Sequence, residues 1–214
     1  MDTKDPTLAS YDRIAFQYAE ALFDELSRKP FDRLLLDAFA ARTRVHGEVW
    51  DIGCGPGHVG RYLHERGVSV CGLDLSERMI ACARELNPVM PFRQGSMLAL
   101  DTPADSLAGI VCFYAIIHLR RNEAVSALSE FWRTLQPGSP VLLAFHGGAG
   151  ELHSIEMLGE PVDVTATLFE GDEMAGYASD AGFIDVDIQE RPPYEFEYQS
   201  RRVYLLARKP GLPK

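Results

Sequence analysis

The sequence predicts an α/β fold in which a mainly parallel, doubly wound sheet carries helices on both faces. Three observations predict it. Short apolar runs alternate with amphipathic segments along most of the chain, and a glycine-rich bend joins one such run to a helix within residues 49–60. Two late apolar runs follow each other with no long helix between them, which implies an antiparallel edge.

Composition narrows the classes. A chain of 214 residues fits one domain of ordinary size, and 46% hydrophobic residues can build a sizeable core. The formal net charge of −10 argues against a broad nucleic-acid surface, which would need clustered Lys and Arg. Cys54, Cys71, Cys82 and Cys112 include no Cys-x-x-Cys pair, so they read as small buried hydrophobes in a reducing compartment, and no metal site is expected. No basic segment followed by an apolar core opens the chain, so no signal peptide is expected. The longest apolar run, Leu107 to Ile117, falls short of the ~20 residues that cross a bilayer. The expectation is a cytoplasmic protein, monomeric or homodimeric, with no membrane partner.

In chain order, Ile14, Tyr18, Ala21, Leu22 and Leu26 recur at helical spacing within residues 8–27, and Pro30 is expected to end that segment. Phe31, Leu34, Leu35, Ala38 and Phe39 give a second helix an apolar face, closed by Gly47. Both precede the first core strand, as a cap over a pocket would. The stretch Val49-Trp50-Asp51-Ile52-Gly53-Cys54-Gly55-Pro56-Gly57 then reads as strand and tight loop, with a helix following through Tyr62 and Leu63. Val68 to Asp74 is a second strand ending in an acid, and Ser76 caps the helix that runs to Leu86. Met90 to Gly95 is a short strand and turn, and Leu107 to Phe113 a strand buried on both faces. A helix over residues 121–135, a Pro-Gly turn and a buried strand over residues 141–145 come next. Residues 146–169 show no clear period and are expected to form an excursion over the site. A helix near residues 171–181 and strands near 183–190 and 203–208 complete the chain. The organisation is thus a helical cap (1–46), a binding core (47–145) and an acceptor-side excursion with C-terminal strands (146–214).

The glycines carry the first functional inference. Without a Cβ they permit positive φ and let the backbone press against a small ligand, which suits an adenosine-containing molecule. Gly55-x-Gly57-x-x-Gly60 satisfies the dinucleotide fingerprint, and Asp74 lies 19 residues beyond Gly55, where a ribose-binding acid is expected. A carboxylate there can accept hydrogen bonds from both ribose hydroxyls. Asp51 has two readings, facing the cofactor's α-amino group or accepting from loop N–H groups, because a buried acid needs one or the other.

The fuller string Asp51-Ile-Gly53-Cys-Gly55-Pro-Gly57 resembles motif I of class I S-adenosylmethionine-dependent methyltransferases. Val70 to Ser76 resembles motif II, Gln94-Gly95-Ser96-Met97 the adenine-side segment, Phe113 to Leu119 the fourth-strand motif, and Leu135 to Leu143 the turn into the fifth strand. The resemblance implies S-adenosylmethionine as cofactor, S-adenosylhomocysteine as product, and a seven-stranded sheet of order 3-2-1-4-5-7-6 with strand 7 antiparallel. It also implies that Tyr11 and Tyr18 reach the cofactor's carboxylate, that Leu75 and Met79 flank the adenine, and that Tyr114 borders the methyl end. Two positions depart from the family: Ser96 stands where an acid often holds the adenine amino group, and Ala108-Gly109 where an acid often opens the fourth strand.

Methyl transfer asks chiefly for alignment, with a base only where the acceptor must lose a proton. His118, past the fourth strand, and His146, past the fifth, are the candidates, each with a structural alternative. Phe131 and Trp132 read as core, and the string Tyr194 to Tyr198 as surface. The reading is an enzyme acting on O or N of a small molecule. Its rivals are an RNA or protein methyltransferase and a non-catalytic cofactor-binding module.

Overall fold

The structure is a computed structural model and describes residues 5–212. Helix α1 (Pro6–Leu22) starts at Asp5, whose Oδ1 accepts from Thr7 N at 2.9 Å, with Pro6 in the first turn where no N–H is needed. A 3-10 turn over Glu25–Arg28 leads into α2 (Pro30–Thr43). Pro30 opens α2 rather than ending α1, because proline's fixed φ suits the first helical position.

Strand β1 (Glu48–Ile52) is followed by α3 (His58–His64), β2 (Ser69–Asp74), α4 (Glu77–Leu86) and β3 (Phe92–Gln94). Then come β4 (Gly109–Phe113), α5 (Arg121–Thr134) and β5 (Pro140–Gly147). Strands β6 (Glu151–Met157) and β7 (Glu160–Thr167), helix α6 (Gly171–Asp180), β8 (Ile184–Arg191) and β9 (Arg201–Arg208) complete the order. The main sheet runs β3-β2-β1-β4-β5-β9-β8, parallel except that β9 lies antiparallel to both β5 and β8. This is the implied order with β9 as the seventh strand, since β6 and β7 pair only with each other.

Alternate residues of the central strands feed two cores, which is why these runs are apolar throughout. Trp50, Ile52, Ile110, Cys112, Leu143 and Phe145 pack toward Leu128 and Phe131 of α5 and Met174 and Ala178 of α6. Val49, Val111, Leu142 and Ala144 face the other way, toward Leu36 and Phe39 of α2, Leu63 of α3 and Ile80 of α4. Strand order reverses between β1 and β4, so the crevice for a ligand opens at their carboxyl ends.

The excursion expected after β5 is an ordered β6–β7 hairpin. Its turn, Leu158-Gly159, has both residues at positive φ (56° and 80°), the twist a two-residue hairpin requires. Val162 and Val164 of β7 rest on Ile14 of α1, Asp163 N donates to Ser10 Oγ at 2.8 Å, and Arg13 donates to Pro161 O at 2.6 Å. Helix α1 thus lines the crevice through Tyr11 and Tyr18, and the hairpin packs against α1.

The segment at residues 194–198 departs from the surface expectation. Phe196 and Tyr198 are exposed, but Glu197 is buried in a chelate with Arg191 (2.6 and 2.9 Å). Arg191 also donates to Asp32 Oδ2 at 2.9 Å, joining β8 to α2. A charge so buried persists because each member has a partner. Among the described residues, no helix is long and apolar enough to cross a membrane.

Candidate functional site

The bend after β1 is held from behind. Gly53 N and Cys54 N both donate to Leu73 O (2.7 and 3.0 Å), and Asp51 Oδ2 accepts from Gly60 N at 2.8 Å. Asp51 is buried, and burial pushes its carboxyl up to about 7 against the opposing effects of His58 and the Gly60 N–H. It lies behind the loop and off the cavity wall, so of its two readings the geometry displays the loop N–H partner. Gly57 is also off the wall. At φ +83° it caps α3, and a Cβ there would meet Phe92 and Asn87 at 2.9 Å, so its role is to let the loop pack.

A cavity of about 250 Å³ opens beyond the bend. Its wall includes Leu75, Met79, Gly95, Ser96, Met97 and Leu98, with Gly53, Gly55 and Asp74, and with Tyr11, Tyr18, His58, Tyr114 and His118. The Asp74 carboxylate is fixed by Gly55 N on Oδ2 (2.8 Å) and Ser76 N on Oδ1 (2.9 Å). Burial raises its pKa while these N–H groups oppose the rise. Each oxygen keeps a lone pair for a further donor. Ser76 caps α4 by accepting from Met79 N (3.0 Å) and donates to Asp12 Oδ1 (2.6 Å), tying α1 over the acid.

His118 follows β4 in a 3-10 turn. Its Nδ1 is 3.2 Å from Thr165 O, a carbonyl that can only accept, so Nδ1 carries the proton. Its Nε2 therefore presents a lone pair, and Tyr11 Oη donates to it at 2.9 Å. Burial lowers the His118 pKa, and burial, with Asp74, lifts the Tyr11 phenol well above its ordinary value. The histidine is neutral, and its basic nitrogen holds the hydroxyl of Tyr11, which also lines the cavity.

His146 is different. Its Nδ1 accepts from Ser200 Oγ (2.6 Å) and Arg202 Nη1 (2.9 Å), which puts the proton on Nε2. Burial, Arg202 and Lys29 push its pKa down to about 3. Off the cavity wall and with its lone pair taken, it has no free nitrogen to act as a base. Between these histidines, Tyr114 holds φ at +55°, its N–H on Ala144 O (2.8 Å) and its hydroxyl buried without a partner. Backbone strain of this kind persists where surroundings over-determine it.

Sequence reasoning missed His58, Asp12 and Thr165. A backbone carbonyl has no signature in a sequence, and Asp12 and His58 signal only as polar residues beside the motifs.

A family model described as a methyltransferase domain matches residues 49–138. Malonyl-[acyl-carrier protein] O-methyltransferase of Pectobacterium atrosepticum is 35% identical over 124 residues, 57% of this chain and 46% of the relative. This chain spans about half the length of the curated relatives it matches first. Among solved structures, an S-adenosylmethionine-dependent methyltransferase of Methanosarcina mazei superposes with TM-score 0.69 at 18% identity, covering 77% of this chain and 93% of that one. Phosphoethanolamine N-methyltransferase 2 of Haemonchus contortus, in complex with S-adenosyl-L-methionine, gives TM-score 0.71 at 16% identity, covering 93% and 57%. At such identities these two likenesses speak for the fold.

Proposed function

We propose that this chain, whose residues 49–138 match a methyltransferase-domain family model and whose sheet has the class I, Rossmann-like order, is an S-adenosylmethionine-dependent methyltransferase acting on an oxygen or nitrogen atom of a small molecule. The observation that carries the reading is the Asp74 carboxylate, fixed by Gly55 N–H, in one cavity with the neutral His118.

The residues present fit the cofactor. Gly53 and Gly55 sit at φ +69° and +51°, a cradle that side chains would strain. Asp74 holds the ribose hydroxyls, Leu75 and Met79 flank the adenine, and Gly95, Ser96 and Met97 line its edge. Tyr18 and Tyr114 border the rest of the molecule. When bound, the cofactor supplies an electrophilic methyl on a sulfonium.

His118 serves an acceptor that must lose a proton: Nε2 takes it while Thr165 O keeps the ring oriented, and Tyr11 is displaced or relays. Helix α1 contributes Tyr11 and Tyr18 to the cavity wall. An acidic chain favours a small acceptor over a nucleic acid. A relative named for O-methylation keeps oxygen in view as an accepting atom.

The test is transfer of labelled methyl from S-adenosylmethionine into a metabolite extract. Label is expected in a low-mass product and is lost in His118→Asn, which keeps the donor to Thr165 O and cofactor binding. Label found only in protein or RNA, or in nothing, overturns the assignment.

A further inference from the structure

The geometry points to a second binding site, at the edge of the sheet opposite the glycine bend, that takes a small soluble phosphate monoester on Arg42, His46, Ser139 and Arg208. A cavity of about 320 Å³ opens there. Its place follows from the topology. His46 precedes β1, Ala108 precedes β4 and Pro140 opens β5, so the wall is built at the amino ends of three neighbouring strands. Arg208 joins them because β9 runs antiparallel and sets its last residue opposite Pro140. Strand β5 alone is eight residues long, which keeps the two cavities roughly 20 Å apart. This second site is independent of the S-adenosylmethionine reading.

Charge singles the cavity out. The chain carries 31 Asp and Glu against 21 Lys and Arg, yet the titratable residues on this wall are Arg42, His46 and Arg208, with no carboxylate among them. The wall beyond the glycine bend is the reverse: Asp5, Asp74 and Glu123 line it, and no Lys or Arg does. Arg42 sits in the last turn of α2, where a cation suits the helix dipole. That does not account for His46 or Arg208, which lie outside the helices.

The donors are also available. Arg42 and His46 are exposed, and no hydrogen bond or ion pair among the described residues engages either side chain. Arg208 donates to Asp185 through Nε, which leaves its two Nη groups. Ser139 is only 8% exposed, and its hydroxyl has no partner among the described residues yet is not sealed from solvent, so it opens into the cavity. Guanidinium forks match the oxygens of a phosphate, and a monoester carries nearly two negative charges at neutral pH. Ala108, Pro137 and Pro140 supply apolar wall and no aromatic side chain lines it, which suits a short aliphatic ester rather than a nucleobase.

The experiment is an NMR titration of the ¹⁵N-labelled full chain with glycerol phosphate, with glycerol and sodium chloride at matched ionic strength as controls. Saturable shifts are expected at the Gly138 and Ser139 amides with the ester and with neither control. Arg42→Gln is expected to weaken the ester about tenfold or more and Ser139→Ala by a smaller factor, while Arg78→Gln, at an exposed arginine of α4, stays within about twofold of wild type. Unchanged amide dispersion shows that the variants fold. Shifts that do not saturate, that chloride reproduces, or that Arg42→Gln leaves as they were overturn the site. Shifts at Gly53 and Gly55 instead would put the ester in the cavity beyond the glycine bend and overturn it equally.

Discussion

Gly53 and Gly55 differ in what surrounds them, and that difference predicts two unequal stability changes. Both hold positive φ, so alanine at either costs roughly 1–2 kcal/mol of backbone strain. At Gly55 the nearest atom to a new Cβ is Tyr18 Cε1 at 3.8 Å, an ordinary contact. At Gly53 it is Ala115 Cβ at 2.1 Å, and neither atom belongs to a side chain that can rotate away. The loops after β1 and β4 must then separate, which adds about 1–3 kcal/mol of overpacking. Gly53→Ala is therefore expected to cost about 2–5 kcal/mol, and Gly55→Ala about 1–2 kcal/mol. Removing the opposing Cβ with Ala115→Gly leaves Ala115 Cα at 3.5 Å, so the double-mutant cycle should show a coupling of about 1–3 kcal/mol. Urea unfolding followed by circular dichroism reads all five chains. Equal costs at the two glycines, or a coupling below about 0.5 kcal/mol, would refute the claimed contact between the loops.

Three further outcomes follow from the same geometry. Asp74→Asn loses a charged acceptor for the ribose, and calorimetry is expected to show S-adenosylhomocysteine weakened about 10–150-fold; a change within about threefold would contradict the role. Glu25 and Glu197 are buried, which raises their pKa, but His58 and Lys29 on one and chiefly Arg191 on the other bring both down to about 2. The unfolded chain then binds more protons between pH 4.5 and 2, so this stability is present above pH 4.5 and lost as pH falls through about 2. Each contributes on the order of 3 kcal/mol, and unfolding titrations at stepped pH should show a shallower acid slope in Glu25→Gln. Arg191→Met strands Asp32 and Glu197 without their shared cation, and a loss of about 3–5 kcal/mol is expected in urea unfolding.

What was legible in the sequence follows the physics that each feature rests on. Strands β1, β4 and β5 were readable because burial on both faces demands unbroken apolar runs, and the glycine bend because positive φ selects glycine. The strand order came from resemblance to a family, since periodicity does not say which strands pair. Pro30 was misplaced because proline suits both the stop of one helix and the first turn of the next. The β6–β7 hairpin was missed because Val162 and Val164 are its only buried apolar residues, too few to print an alternation. Glu197 looked like surface because a carboxylate usually is; its partners Arg191, Lys29 and Arg202 lie on other elements. The same distance in sequence hid the opposite tautomers of His118 and His146, which are set by Thr165 O, Ser200 and Arg202.

The central claim, that the bend after β1 and the acid ending β2 hold one sulfonium nucleoside, is tested most directly by crystals grown with S-adenosylhomocysteine. The account predicts density in the cavity with both ribose hydroxyls on the Asp74 carboxylate and the adenine between Leu75 and Met79. An empty bend, or the nucleoside bound elsewhere with Asp74 turned to solvent, would contradict it.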